Sequence, residues 1–99
     1  MNYQILAHKH RVIKTLDKLP DSERKNRVKN IKNKLEENPF PGEGRGNIKK
    51  VRNLGLYRLH IGEDYTALYR IDKDEREVKI LDLVTRQKAY KRYGESGRT

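Results

Sequence analysis

The 99-residue sequence predicts an α+β domain: a short N-terminal strand, a two-helix antiparallel hairpin, and a mainly antiparallel β-sheet on which the hairpin lies. Two observations carry that prediction. Apolar residues recur at helical spacing in the first third of the chain, and four β-like runs joined by short connections fill most of the rest.

Residues 2–6, with Tyr3, Ile5 and Leu6, make one strand. Val12, Ile13, Leu16 and Leu19 then form a single helical stripe, and Pro20 ends the helix because it has no amide proton and clashes with the preceding turn. A second helix begins at the cap candidates Asp21 and Ser22, with Glu23 in its electropositive first turn and Val28, Ile31 and Leu35 as its stripe. Thin stripes of this kind need a sheet to lie on. Residues 38–47, NPFPGEGRGN, hold two prolines and three glycines without periodicity and read as a loop, the most mobile segment expected. Strands follow at 48–52, 56–61, 65–71 and 78–84, with a charged turn at 72–76, an arrangement suited to an antiparallel meander. One domain spans residues 1–93, and residues 94–99 read as a frayed tail.

Composition narrows the function classes. Leu, Ile, Val and Phe together number 23, just above the range of about 20% at which disorder becomes the default, so the core is small. Lys and Arg number 24 against 14 Asp and Glu, a formal charge of +10 that attracts nucleic acid, acidic protein or anionic membrane. Membrane attachment is disfavoured, since there is no long apolar run and no signal pattern, and a cytoplasmic protein is expected. With no cysteine and three histidines outside any carboxylate cluster, no metal or other cofactor is called for.

The candidate working surface is the hairpin at 54–71. In Tyr57-Arg58-Leu59-His60-Ile61 the odd positions are apolar or aromatic, so Arg58 and His60 share the opposite face. A guanidinium fork can grip phosphate and an imidazole can move a proton near neutral pH, the parts that metal-free RNA cleavage requires. Spacing alone also allows a solvated strand cation and a surface histidine. Arg86 and Tyr90, four apart, fall on one side of a helical turn or within one turn-strand corner, where they are either site residues or a surface cation and a packing tyrosine.

In its order of elements the chain resembles a RelE-type toxin of the RelE/ParE superfamily. The matching residues are Leu19-Pro20 between the helices, Asn38-Pro39 before the loop, Leu56-Tyr57-Arg58-Leu59-His60-Ile61-Gly62, the strand at 65–69, and Arg86-Gln87-Lys88-Ala89-Tyr90-Lys91. The resemblance implies a curved sheet with a cationic concave face, and a toxin of a type II toxin-antitoxin system that cleaves messenger RNA in the ribosomal A site without a metal. It implies phosphate contacts from Arg58 and Arg86, proton transfer by His60, a base-stacking or catalytic role for Tyr90, and further RNA contacts from Lys49, Lys50 and Arg52. It also implies an acidic RelB-like antitoxin as partner. The alternatives are a ParE-like gyrase inhibitor on the same fold, or a non-toxic basic RNA- or ribosome-binding protein. One position departs from the pattern. Many RelE-like hairpins read Gly-Asp-Tyr-Arg, whereas Gly62-Glu63-Asp64-Tyr65-Thr66 is one residue longer and places threonine where arginine would contact phosphate. Losing such a contact costs on the order of a hundredfold in rate.

Overall fold

A computed structural model describes residues 2–51, 54–62 and 64–93. Arg52 and the expected tail at 94–99 lie outside the described residues. The elements are β1 (Gln4–Ala7), a π-helical turn (Lys9–Ile13) running into α1 (Lys14–Asp17), α2 (Asp21–Leu35), β2 (Ile48–Val51), β3 (Leu56–Ile61), β4 (Tyr65–Asp72), β5 (Glu77–Thr85) and α3 (Arg86–Tyr93). The sheet has the order β1-β5-β4-β3-β2; β1 is parallel to β5 and the remaining pairs are antiparallel. Leu81 interrupts the β4–β5 register as an extra residue, since Leu68 faces Asp82 and Tyr69 faces Ile80, and such a bulge adds twist and bend to its strand.

The first helix begins differently from its stripe. His8 accepts the Arg11 amide on Nδ1, and the amides of Val12 and Ile13 both bond the His8 carbonyl, which widens the turn. Val12 and Leu16 are buried while Ile13 is 40% exposed, so one member of the predicted stripe leaves the core. At α2 the cap position belongs to Pro20, not Asp21; Asp21 lies in the first turn and pairs with Arg24. Ile31 and Leu35 are buried and Val28 packs beside them, as the stripe requires.

The loop at 38–47 is tethered. The last carbonyls of α2 lack intrahelical partners, and the Arg45 guanidinium supplies donors to the carbonyls of Lys34, Asn38 and Phe40. The buried Tyr69 hydroxyl donates to the Pro39 carbonyl at 2.7 Å, and its phenol pKa is raised by that burial. Tyr3, Phe40, Tyr57 and Tyr69 form a chain of ring contacts along this side, edge-on between Tyr3, Phe40 and Tyr57 and stacked between Tyr57 and Tyr69.

The sheet therefore has two unlike faces. On one, α1 and α2 cover Leu59, Ile61, Ala67, Tyr69, Val78, Ile80 and Leu83. On the other, Ala89 and Tyr93 of α3 join a smaller cluster with Val51, Leu56, Leu68, Leu81 and Val84. Among the described residues no helix is long and apolar enough to cross a membrane.

Candidate functional site

The site is built on the α3 face. Antiparallel pairing sets Lys49, Arg58, Leu68 and Asp82 in one cross-strand row and His60, Thr66 and Val84 in the next. Arg58 and His60 do share a face, as alternation predicts. That face is not open along its length, however, because α3 returns over it. Arg58 is only 5% exposed, and its Nη1 donates to the Asn47 carbonyl at 2.9 Å. His60 is half-buried and nearer the end of the strand. Its Nδ1 lies 2.9 Å from the Thr66 hydroxyl, which is fully buried. Thr66, the position where the resemblance leads one to expect arginine, here holds the ring of the histidine across the hairpin.

The turn after β3 gathers cations. Gly62 has a left-handed φ of 59°, and a Cβ there would meet Arg27 Nη1 at 2.7 Å, so both backbone shape and space favour glycine. Arg27 approaches from α2, its Nη1 3.4 Å from the Ile61 carbonyl and its guanidinium over the Tyr65 ring. From the other side, Arg86 Nη2 donates to the Gly62 carbonyl at 2.7 Å, and the Arg86 amide bonds the Asp64 carbonyl. Two guanidinium groups thus bracket the turn that follows His60. A cavity of about 140 Å³ opens beside it, lined by Asn30, Lys34, Asn47, His60 and Gly62.

Tyr90 lies one turn beyond Arg86 on α3 and is 38% exposed. Lys49 shares the Arg58 face, while Lys50 sits opposite Tyr57 on the other side, so this adjacent pair does not act on one surface. The structure thus brings His60, Thr66 and Arg86 to one end of the sheet and sets Arg58 and Lys49 one row further in.

One residue escaped sequence reasoning. Asp82 is 2% exposed, yet its carboxylate accepts from Tyr93 OH at 2.6 Å, Arg92 Nη1 at 3.1 Å and the Leu83 amide at 3.0 Å. These bonds tie the far end of α3 to β5. Burial and the neighbouring carboxylate raise the Tyr93 phenol pKa above its ordinary value. An acid inside the run Ile80-Leu81-Asp82-Leu83-Val84 was the available signal, because a carboxylate in a buried strand requires partners.

Residues 7–90 match the family described as the ParE toxin of the type II toxin-antitoxin system parDE, and the chain belongs to that family. Among solved structures it is similar to the RelBE2 toxin-antitoxin complex of Mycobacterium tuberculosis, at 25% identity and a TM-score of 0.70 over 87% of this chain and 100% of that one. It is also similar to the RelE-RelB complex of Pyrococcus horikoshii, at 30% identity and a TM-score of 0.68 over 87% and 97%. A mutant of E. coli RelE in the free state shares the fold at 19% identity, with a TM-score of 0.68 over 96% and 97%. No curated protein matches the chain. The protein is thus a toxin of the RelE/ParE superfamily, with RelE toxins among its structural neighbours.

Proposed function

We propose that this toxin is a metal-independent endoribonuclease that cleaves messenger RNA on the ribosome and is held in check by an acidic antitoxin. The observation that carries the reading is the His60–Thr66 contact. With Nδ1 engaged at 2.9 Å, Nε2 is the ring nitrogen we assign to proton transfer. Nε2 takes the proton from a ribose 2′-hydroxyl, the freed oxygen attacks the adjacent phosphorus, and the P–O5′ bond breaks as the 5′-oxygen takes a proton from water, giving a cyclic phosphate and a 5′-hydroxyl. Arg86 stabilises the charge that develops on the phosphoryl oxygens, with Arg58 contributing positive potential from the row behind. Tyr90, exposed on α3, stacks on a base beside the scissile bond. The RelB partners in the structures from M. tuberculosis and P. horikoshii, and the +10 charge of this chain, support an acidic antitoxin and an RNA target. A cytoplasmic location follows from that target.

Primer extension on cellular transcripts after induction tests the reading. Cuts within codons are expected for the wild type and should fall at least about a hundredfold for His60→Ala and Arg86→Ala; toxicity undiminished in both variants sinks it. The ParE family match favours a second reading, a gyrase inhibitor acting by occupation of its target. Intact transcripts together with DNA-damage signalling would select that one.

A further inference from the structure

We propose that Arg27 is a phosphate-binding residue, which with Arg86 forms a two-armed clamp for an RNA backbone at the tip of the β3–β4 hairpin. This rests on the reading above that the chain acts on RNA, and it adds to that site a residue from a helix that otherwise serves the core. Three observations carry it. The Arg27 side chain is only 16% exposed, yet its polar partners among the described residues are distant. Nη1 lies 3.4 Å from the Ile61 carbonyl, and Nη2 lies 4.0 Å from the carboxylate of exposed Glu23. Both separations are at the outer limit of such contacts. A charge withdrawn from water to this degree costs free energy unless an anion meets it, and a guanidinium has five N–H donors to offer one.

The guanidinium is also held in place. It lies over the Tyr65 ring, 5.1 Å from the centroid, a contact that fixes the charge without using its N–H donors. The third observation is the residue it reaches. A Cβ at Gly62 would stand 2.7 Å from Arg27 Nη1, and the Gly62 carbonyl accepts from Arg86 Nη2 at 2.7 Å. Guanidinium groups from α2 and α3 therefore meet one residue, two positions after His60. The cavity beside it has no carboxylate among its described lining residues, and it takes Asn30 and Lys34 from α2. Arg27, Asn30 and Lys34 recur at i, i+3 and i+7, one row along the helix, and Lys34 makes no ion pair among the described residues. Successive phosphates of a single strand fit such a row, with Arg27 gripping by its fork and Lys34 acting as a point charge. Because His60 lines the same cavity, the row serves phosphates flanking the scissile one. It brings a second guanidinium to this end of the sheet although position 66 holds threonine.

The test is binding of the intact chain to a single-stranded RNA whose 2′-oxygens are all methylated, which the proposed chemistry cannot cut. In ¹⁵N NMR of the arginine Nε–H groups, the Arg27 and Arg86 signals should both shift. Arg27→Met keeps an apolar stem over Tyr65 and removes the charge, so it should weaken binding at least about tenfold with an unchanged circular dichroism spectrum. It should also lower the slope of log affinity against log salt by about 0.7, the mark of one lost phosphate contact on a single strand. Arg27→Lys should restore that slope and recover affinity only in part, because the fork is gone. The clamp is overturned by an unaltered slope in Arg27→Met, by a silent Arg27 signal, or by absent binding to the wild type. Polyglutamate shifting Arg27 at equal concentration would overturn it in favour of a carboxylate partner. Failure of the nuclease reading looks different: methylated RNA still binds through Arg27 while codons in cellular transcripts stay intact.

Discussion

Beneath α1 and α2 the sheet presents leucine, isoleucine, valine and stacked tyrosine, whereas beneath α3 it presents a smaller apolar cluster interrupted by buried Arg58, Thr66 and Asp82. The first face is held by area removed from water and by close packing. The second is held in large part by directed bonds: Arg58 to Asn47, Thr66 to His60, Asp82 to Arg92, Tyr93 and Leu83. Polar groups cost free energy when buried unless they are bonded, and bonded networks contribute modest stability but fix geometry. A protein with so small a core keeps such groups where position matters. The α3 face is therefore where function is expected to be sensitive and stability comparatively tolerant.

Substitutions on the two faces should separate accordingly. Leu35→Ala removes a fully buried side chain from the helix-covered core and should cost about 3 kcal/mol in urea denaturation, a large share of the stability of a domain this size. A loss below roughly 1 kcal/mol would show that this core is looser than its burial implies. Asp82→Ala, across the sheet, strands Arg92 and Tyr93 and frees the Leu83 amide. It should cost about 2 kcal/mol, with amide exchange rising first in α3. Uniform loss of protection over all elements would contradict a local latch. Tyr69→Phe deletes the buried bond to Pro39 and should cost about 1 kcal/mol, loosening 38–47 and leaving α3 alone.

The smallest stability effect is expected where the functional one is concentrated. Thr66→Val conserves shape and removes the hydroxyl from His60, so stability should fall by about 1 kcal/mol or less while the ¹⁵N signature of the His60 tautomer changes. Thr66→Ser should restore that signature; a tautomer indifferent to both substitutions would remove Thr66 from the site. Alkaline pH gives a graded version of the Asp82 experiment. The Tyr93 phenol is harder to ionise in the fold than in the unfolded chain, where it titrates near 10.0, so its contribution is intact below that pH and is lost as pH rises through the elevated folded value. Detachment of α3, followed by tyrosine absorbance and amide exchange, should begin above pH 10 and disappear in Tyr93→Phe.

Much of the fold could be read from periodicity. Helical spacing in Val28, Ile31 and Leu35 and alternation in residues 56–61 are properties of a few consecutive residues, and the elements formed where those patterns stand. Ile13 misled because a π-helical turn at the entry rotated it out of the stripe. Arg58 misled in another way. Alternation told which side it faces, but not that the position is buried, because that face is covered by parts of the chain distant in sequence, among them α3, which the sequence left open between a helical turn and a corner. Thr66 was visible only as a departure, since nothing local reveals that its hydroxyl faces His60 across a hairpin.

The residues alone determined the charge, the order of the strands and of the first two helices, and the shared face of Arg58 and His60, because side-chain direction within an element follows from backbone period. Tertiary structure decided the rest: the parallel docking of β1 on β5, the closure of α3 over the second face through Asp82, and the row that sets Thr66 against His60. Those features depend on register between distant segments, and no run of neighbouring residues encodes which partner a strand or a returning helix will meet.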